Sequence, residues 1–410
     1  MPTRRQQYRR RRIAVGGGAF LVLLLLALAF YVPSTLLAPL KSIGATQQDY
    51  PIPTVAVPAM SLPGYGASGI GAVGYPGLLA QRGSSQPLPI ASITKVVTAL
   101  VVLQKKPLAA GKNGPAITFT AIDEQYRAQY QAEDGEVYPV QIGATLSERQ
   151  VLTVMLLPSA NNYARTLVDW AFGSEQKFLV AARSWLASHG LTSTTLADAT
   201  GLNPHNRSTP ADLVEIGKLA LVNPVVSQLT ALKRATVPVV GTVTNTNQLL
   251  GSLGVKGIKT GTLNPFGSSL LFAADYTVGP KKITLVGVVL DGPDHPTIDS
   301  QIKKLITSVR AGFREVTLST AGQKFGTYTT AWGTVAHATA KRTESIVVWA
   351  KTTISSKLTT ASLILASRGA GAGTVVFTAG EQVVSVPLVL DHAIVDPGPW
   401  WRLTNPGALF

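Results

Sequence analysis

The sequence predicts an α/β domain, a sheet flanked by helices with a helical subdomain, behind one transmembrane helix and ahead of a small all-β domain. Three observations carry this expectation. Residues 13–32 are apolar and free of charge. Strand-like runs open and close the stretch 64–320 around a helical middle, and helical periodicity disappears past about Ala321.

The first segment, 1–12, is basic and expected in the cytoplasm: Arg4, Arg5, Arg9, Arg10, Arg11 and Arg12 directly precede the apolar run. At about 1.5 Å per residue, Ile13 to Val32 reaches about 30 Å, the thickness of a hydrocarbon core. Arginines before it and none directly after it place the remainder of the chain outside the cell membrane, in single-pass topology. A cleaved signal peptide, with Ala27-Leu-Ala29 as its small-x-small site, would give a secreted protein instead. The run is longer than a usual signal core, and Phe30-Tyr-Val-Pro33 makes a poor mature terminus, so an uncleaved anchor is expected. Residues 33–63 carry Pro33, Pro39, Pro51, Pro53, Pro58 and Pro63 and read as an extended stalk.

From Gly64 the pattern is mixed. Gly69 to Leu79 is strand-like and Ile93 to Leu103 is helix-compatible. Thr145-Leu-Ser-Glu148 resembles a capping box before Val151, Leu152, Met155 and Leu156 at helical spacing. Helices are expected over Ala160–Phe172 and Glu175–His189, the second ended by Gly190. Ser268–Thr277 and Lys282–Leu290 read as strands joined at Gly279-Pro280, and Ile302–Val316 reads as a helix. The last segment, 321–410, offers β-branched runs at Ser345–Ile354, Ala361–Ser367, Thr374–Thr378 and Gln382–Leu390. It contains no catalytic set and reads as a spacer or docking module. Pro399-Trp-Trp-Arg-Leu403 is too short for an amphipathic membrane helix.

Composition narrows the function. A net charge of +15 suggests nucleic acid, but the excess beyond the first twelve residues is scattered, without a basic stripe interleaved with aromatics. No nucleic-acid partner is expected. There is no cysteine, which removes disulfides and thiolate chemistry together. The five histidines stand far apart, so neither a metal nor another cofactor is expected.

Three short motifs carry the chemistry: Ser92-Ile-Thr-Lys95, Ser159-Ala-Asn161 and Lys259-Thr-Gly261. They supply a nucleophilic hydroxyl, an amine to deprotonate it, a hydroxyl–amide pair, and a cation beside a glycine. Each alone is weak; Pro158-Ser-Ala-Asn-Asn162, for instance, is also turn chemistry. Their joint occurrence in this order, roughly 65 and 100 residues apart, is not. With Pro89-Ile-Ala, Asp198-Ala-Thr-Gly-Leu202, Ser208-Thr-Pro-Ala-Asp212 and Gly257-Ile-Lys-Thr-Gly-Thr262, the chain resembles the D-alanyl-D-alanine carboxypeptidases. These are low-molecular-mass penicillin-binding proteins of the serine SxxK/SxN/KTG acyltransferase family. The resemblance implies the β-lactamase/penicillin-binding-protein-like transpeptidase fold. It also implies trimming of the terminal D-Ala from peptidoglycan stem peptides through an acyl-serine, which β-lactams would form as well.

The residues fit that chemistry. On a helix, positions i and i+3 share a face, so Ser92 and Lys95 can meet. Burial among residues such as Ile93 and Val96, with Lys259 as a second cation, would lower the Lys95 pKa and make it a general base. Ser159 can pass a proton to the departing D-alanine amine, and Asn161 can hold the substrate amide. Lys259, Thr260 and Thr262 can bind the free carboxylate, and Gly261 leaves the strand open to an antiparallel substrate. By the resemblance, the backbone N–H groups of Ser92 and Thr262 form the oxyanion hole. Many relatives carry an arginine between two asparagines where this chain has Asn245-Thr-Asn247, which leaves an arginine contribution open.

Other readings use the same site. A β-lactamase would need a glutamate on a loop, whereas Glu175 and Glu215 fall in helix-like runs. A DD-endopeptidase or transpeptidase differs only in pocket walls and acceptor. A non-enzymatic penicillin sensor or wall-binding scaffold lacks cytoplasmic machinery and a reason to keep every catalytic residue type.

Overall fold

The structure is a computed structural model that describes residues 4–48 and 58–410. The chain divides into two compact units. One comprises Thr54–Glu315 with Val347–Thr352, the other Met1–Pro53, Val316–Ile346 and Thr353–Phe410.

Helix α1 runs Arg4–Leu36, past Pro33. Among the described residues it is the one helix long and apolar enough to cross a membrane, over Gln7–Leu36 with mean hydropathy 2.6.

The first unit is built on a five-stranded antiparallel sheet. Its strands are β1 (Ala67–Ala72), β2 (Ala80–Gly83), β3 (Val255–Thr262), β4 (Ser268–Val278) and β5 (Lys281–Gly292), in the order β3-β4-β5-β1-β2. Strand β4 is buried along most of its length because both faces are covered. Leu271 and Ala273 face one apolar cluster, while Leu270, Phe272 and Ala274 face the other, as a period of two requires. The first cluster takes up α2 (Thr94–Lys105), α4 (Glu148–Leu156), α5 (Asn161–Phe172), α6 (Glu175–Ser188) and α7 (Pro210–Val222). Between α2 and α4 lies α3 (Ala121–Ala132), and α8 (Pro224–Thr230) follows α7. The second cluster takes up α9 (His295–Arg310), through Ile298, Ile302, Leu305, Ile306 and Val309.

Several boundaries differ from the sequence reading for local reasons. The capping box of α4 is Ser147 with Gln150, not Thr145 with Glu148, because Thr145–Ser147 pairs with Ala116–Thr118 as a short ribbon. Helix α9 begins at His295, where the Asp294 carboxylate accepts the Thr297 N–H at 2.7 Å. It stops at Arg310, and Phe313–Ser319 is a strand.

In the second unit a six-stranded sheet combines the short strand Thr46–Gln47 with five others. These are β6 (Lys324–Thr329), β7 (Val335–Ala340), β8 (Ile354–Thr360), β9 (Gly371–Ala379) and β10 (Gln382–Leu390). The order is Thr46–Gln47, β6, β7, β10, β9, β8. Residues 361–367, expected as a strand, form only isolated bridges, Leu363 with Ile43 and Ala366 with Ile394. The expected stalk also differs over its described first part. Ala38 and Leu40 are buried, and Thr46–Gln47 pairs with Gly326–Thr327. Pro51 and Pro53 lie outside the described residues. Two short helices, α10 (Gly398–Thr404) and α11 (Pro406–Leu409), close this unit.

Candidate active site

Ser92 stands in a single 3-10 turn, Ala91–Ile93, that leads into α2. Ala91 adopts a left-handed φ of 47°, a conformation that costs an L-residue energy unless its surroundings impose it. Two glycines make room for it here. At Gly201, itself at φ 88°, a Cβ would overlap the Ala91 carbonyl. A Cβ on Gly261 would lie 3.0 Å from the Ile90 carbonyl oxygen and 3.4 Å from the Ser92 nitrogen. The missing side chain of Gly261 thus makes room for the serine turn itself.

Lys95 is fully buried one helical turn after Ser92. Its Nζ lies 2.9 Å from Ser92 Oγ, 2.6 Å from Asn161 Oδ1 and 2.7 Å from the Thr200 carbonyl oxygen. Burial pulls its pKa well below the usual lysine value, and the Lys259 charge adds to that, against Asp198 and Glu136. The Thr200 carbonyl and the Asn161 amide oxygen can only accept. A neutral Lys95 therefore gives both N–H bonds to them and turns its lone pair toward the Ser92 hydroxyl.

The loop that presents Thr200 is organised by Asp198. One of its oxygens accepts the N–H of Thr200 at 2.7 Å and of Gly201 at 2.6 Å, and the other accepts that of Asn203 at 2.7 Å. The Ala199 N–H donates to Glu175, which Arg165 holds at 2.8 Å. Glu175 is thus occupied in shaping this loop, and Glu215 pairs with Lys218. Neither lines the cleft, so neither stands where a β-lactamase would need its glutamate.

A cleft of about 670 Å³ opens over these groups. Ser92, Ser159, Asn161, Thr260, Gly261 and Thr262 line it. Lys95 and Lys259 stand behind that lining. Ser159 has a left-handed φ of 75°, and Asn161 begins α5 with its N–H on the Glu136 carbonyl at 2.7 Å.

On the sheet side, β3 is fixed in register by Lys259 opposite Leu271 and Thr262 opposite Ser268. Burial lowers the Lys259 pKa to about 7, with Glu136 opposing. Its Nζ reaches Thr260 Oγ1 at 3.4 Å, and Thr260 in turn contacts the Thr246 hydroxyl. The Thr262 hydroxyl meets His295 Nε2 at 2.9 Å. His295 is held below the usual histidine range by burial and then by Lys259, with Asp294 opposing.

The sequence thus named the residues that gather here but missed four that serve them: Glu136, Asp198, Thr200 and His295. In the sequence Asp198 and Thr200 lie within Asp198-Ala-Thr-Gly-Leu202 with no role of their own, and His295 stands far from the other histidines. Among the described residues no group of three His, Asp or Glu side chains could hold a metal.

The D-alanyl-D-alanine carboxypeptidase family matches residues 77–294, more than half of the chain. The chain belongs to that family. Its relatives include a D-alanyl-D-alanine endopeptidase of Pseudomonas aeruginosa, 27% identical over 259 residues, covering 61% of this chain and 78% of that protein. The Escherichia coli carboxypeptidase DacC is 28% identical over 274 residues, 64% of this chain and 63% of DacC. Among solved structures, a Streptomyces DD-transpeptidase aligns with a TM-score of 0.54 at 25% identity, over 62% of this chain and 98% of that one. Penicillin binding protein 5 from Haemophilus influenzae aligns with a TM-score of 0.57 at 18% identity, over 85% and 100%, which establishes the fold. This member of the carboxypeptidase family is a serine-type hydrolase with the penicillin-binding-protein fold, followed by a β-rich segment.

Proposed function

We propose that the chain is a membrane-anchored carboxypeptidase that trims the terminal D-alanine from peptidoglycan stem peptides through an acyl-serine at Ser92. The observation that carries the reading is the buried Lys95 amine, bonded at once to Ser92, Asn161 and Thr200.

Lys95 takes the Ser92 proton as Oγ adds to the carbonyl carbon of the penultimate D-alanine. The backbone N–H groups of Ser92 and Thr262 receive the oxyanion, a contribution of about 3–4 kcal/mol per donor elsewhere. The closeness of Gly261 to the Ser92 nitrogen supports their convergence. The C–N bond then breaks, and the D-alanine amine leaves with a proton relayed by Ser159. Water, deprotonated by Lys95, adds to the ester and releases the shortened peptide, restoring the Ser92 hydroxyl. Asn161 holds the substrate amide, and Lys259, Thr260 and Thr262 hold the terminal carboxylate. A β-lactam acylates the same oxygen.

Incubating the full chain with penicillin and measuring intact mass tests the nucleophile. One drug adduct is expected, absent in Ser92→Ala; labelling of that variant would overturn the assignment. A DD-endopeptidase is the second reading, favoured by the name of the Pseudomonas aeruginosa relative. Comparing a free-acid D-Ala-D-Ala peptide with its C-terminal amide separates the two, because only a carboxypeptidase strongly prefers the acid. Anchoring rests on the apolar stretch of α1, and the same stretch would serve a signal peptide. N-terminal sequencing of protein from native membranes decides: a terminus near Phe30 would mean cleavage.

A further inference from the structure

We infer that α10 and the aromatic residues around it form a collar seated in the outer headgroup layer of the bilayer, which holds the β-rich unit against the membrane surface. The inference rests on the reading of α1 as a spanning helix.

The geometry follows from where α10 is attached. The Tyr31 hydroxyl donates to the Leu403 carbonyl at 2.6 Å, and Tyr31 lies one residue before the end of the apolar run 13–32. If that run fills the hydrocarbon, Leu403 is one hydrogen bond from its boundary. A second tie lies beside it. Arg402 donates to the Leu36 and Ala38 carbonyls at 3.3 and 2.7 Å. These belong to the end of α1 and the residues after it, where the last turn has no basic side chain of its own. The same guanidinium is held by Asp396 at 2.6 Å. Beneath these bonds Ala38, Leu40 and Leu409 form a small buried cluster, with Trp332 and Trp401 packed against it and edge to face with each other, ring centroids 5.6 Å apart. The attachment combines a capped helix end with an apolar seam, so α10 is fixed at the level of Tyr31.

What this fixture presents outward is aromatic. Trp401 turns into the seam, whereas its neighbour Trp400 is 77% exposed. Phe410 and Phe30 are 70% and 79% exposed at the same end of the unit. In water these rings would bury nothing. At the boundary between acyl chains and headgroups, tryptophan and tyrosine rings find an apolar body and a polar rim together, the arrangement of an aromatic belt. Lipid is the occupant the structure favours, because α10 is tied by Tyr31 and Arg402 to the end of the helix that would span the bilayer. Helix α10 is too short to bind a membrane alone, and here it need not: α1 delivers it to the interface.

The test uses the full chain in phospholipid vesicles, with Trp400→Phe as the subtraction control for the other tryptophans. The Trp400 fluorescence should be largely quenched by lipids brominated near the headgroup and little affected by aqueous iodide. Quenching by iodide but not by brominated lipid would overturn the collar. So would shielding from both, which would mean that another protein or a second copy covers the ring. Flotation after alkaline carbonate extraction separates the underlying reading. A chain that does not float removes the spanning helix and the collar together. A chain that floats with an iodide-accessible Trp400 removes the collar alone.

Discussion

The Nε2 atom of His295 stands 2.9 Å from the hydroxyl oxygen of Thr262, at the end of β3 where the proposed carboxylate site opens to solvent. Burial and the neighbouring Lys259 keep this ring toward its neutral form, so it orients the hydroxyl without adding a charge. Thr262→Ala removes a donor to a carboxylate, worth about 1.5–3 kcal/mol, and should lower kcat/KM on a free-acid peptide about ten- to hundredfold. His295→Ala breaks a neutral bond worth about 0.5–1.5 kcal/mol and should cost about two- to tenfold. Both losses should shrink on the C-terminal amide. Equal losses on acid and amide would take the two residues out of end-group recognition.

The pH dependence of acylation should carry the signature of Lys95. Its pKa is lowered by burial and by Lys259, so the free base persists far below the range of an ordinary lysine. As pH falls through the lowered value the base is protonated, and acylation by a β-lactam should decline on the acid side. Lys259→Met removes one cause of the lowering, so the acid limb should move to higher pH. Stopped-flow acylation rates between acid and neutral pH give the comparison; an unmoved limb would assign the titration elsewhere.

Lys259 also predicts a trade of stability against activity. Its folded pKa of about 7 lies below the usual lysine value, so between the two values the unfolded chain binds the extra proton. Stability therefore rises with pH across that window, and the penalty is full below pH 7. Lys259→Met should turn over free-acid peptides poorly, with slowed but measurable acylation, yet be more stable by about 0.5–2 kcal/mol near neutrality, with a gain that fades as pH rises. Thermal melts across this range check both the sign and the slope.

Asp198 should behave as a positioning residue. In Asp198→Asn one oxygen becomes an NH2 group facing backbone donors that the carboxylate now accepts. The Thr200 carbonyl then loses its placement against Lys95. Stability should fall by about 1–3 kcal/mol, the cost of unsatisfied buried donors. The acylation limb should move to lower pH, because Lys95 loses the Asp198 charge that raises its pKa and the Thr200 acceptor that favours its charged form. A stability loss with an unchanged pH profile would make the role purely structural.

The residues proposed for catalysis were legible because their chemistry is partly local. Ser92 and Lys95 meet through one helical turn, and Lys259 to Thr262 share one strand. Their supports were not legible for a physical reason. The Thr200 contribution is a backbone carbonyl, which any residue type can supply, and it reaches Lys95 only when the loop organised by Asp198 closes on α2. His295 sits at a helix start 33 residues from Thr262, joined to it by the β4–β5 hairpin. The polar pair Thr46–Gln47 gave no strand signal, because its pairing is decided by β6 rather than by propensity. The α4 cap slipped by two residues because a ribbon with Ala116–Thr118 used the earlier candidates.

The serine turn is pressed between Gly201, on a loop from the helical half, and Gly261, on the sheet. Neither half of the unit can shape it alone. On the proposed mechanism, a chain in which only one has docked would have a serine but no usable nucleophile, and should neither hydrolyse wall peptides nor capture drug. Covalent penicillin uptake, if Ser92 is the acylated residue, should then count fully assembled molecules. Labelling during export would report when the fold is finished, rather than merely when the polypeptide has arrived.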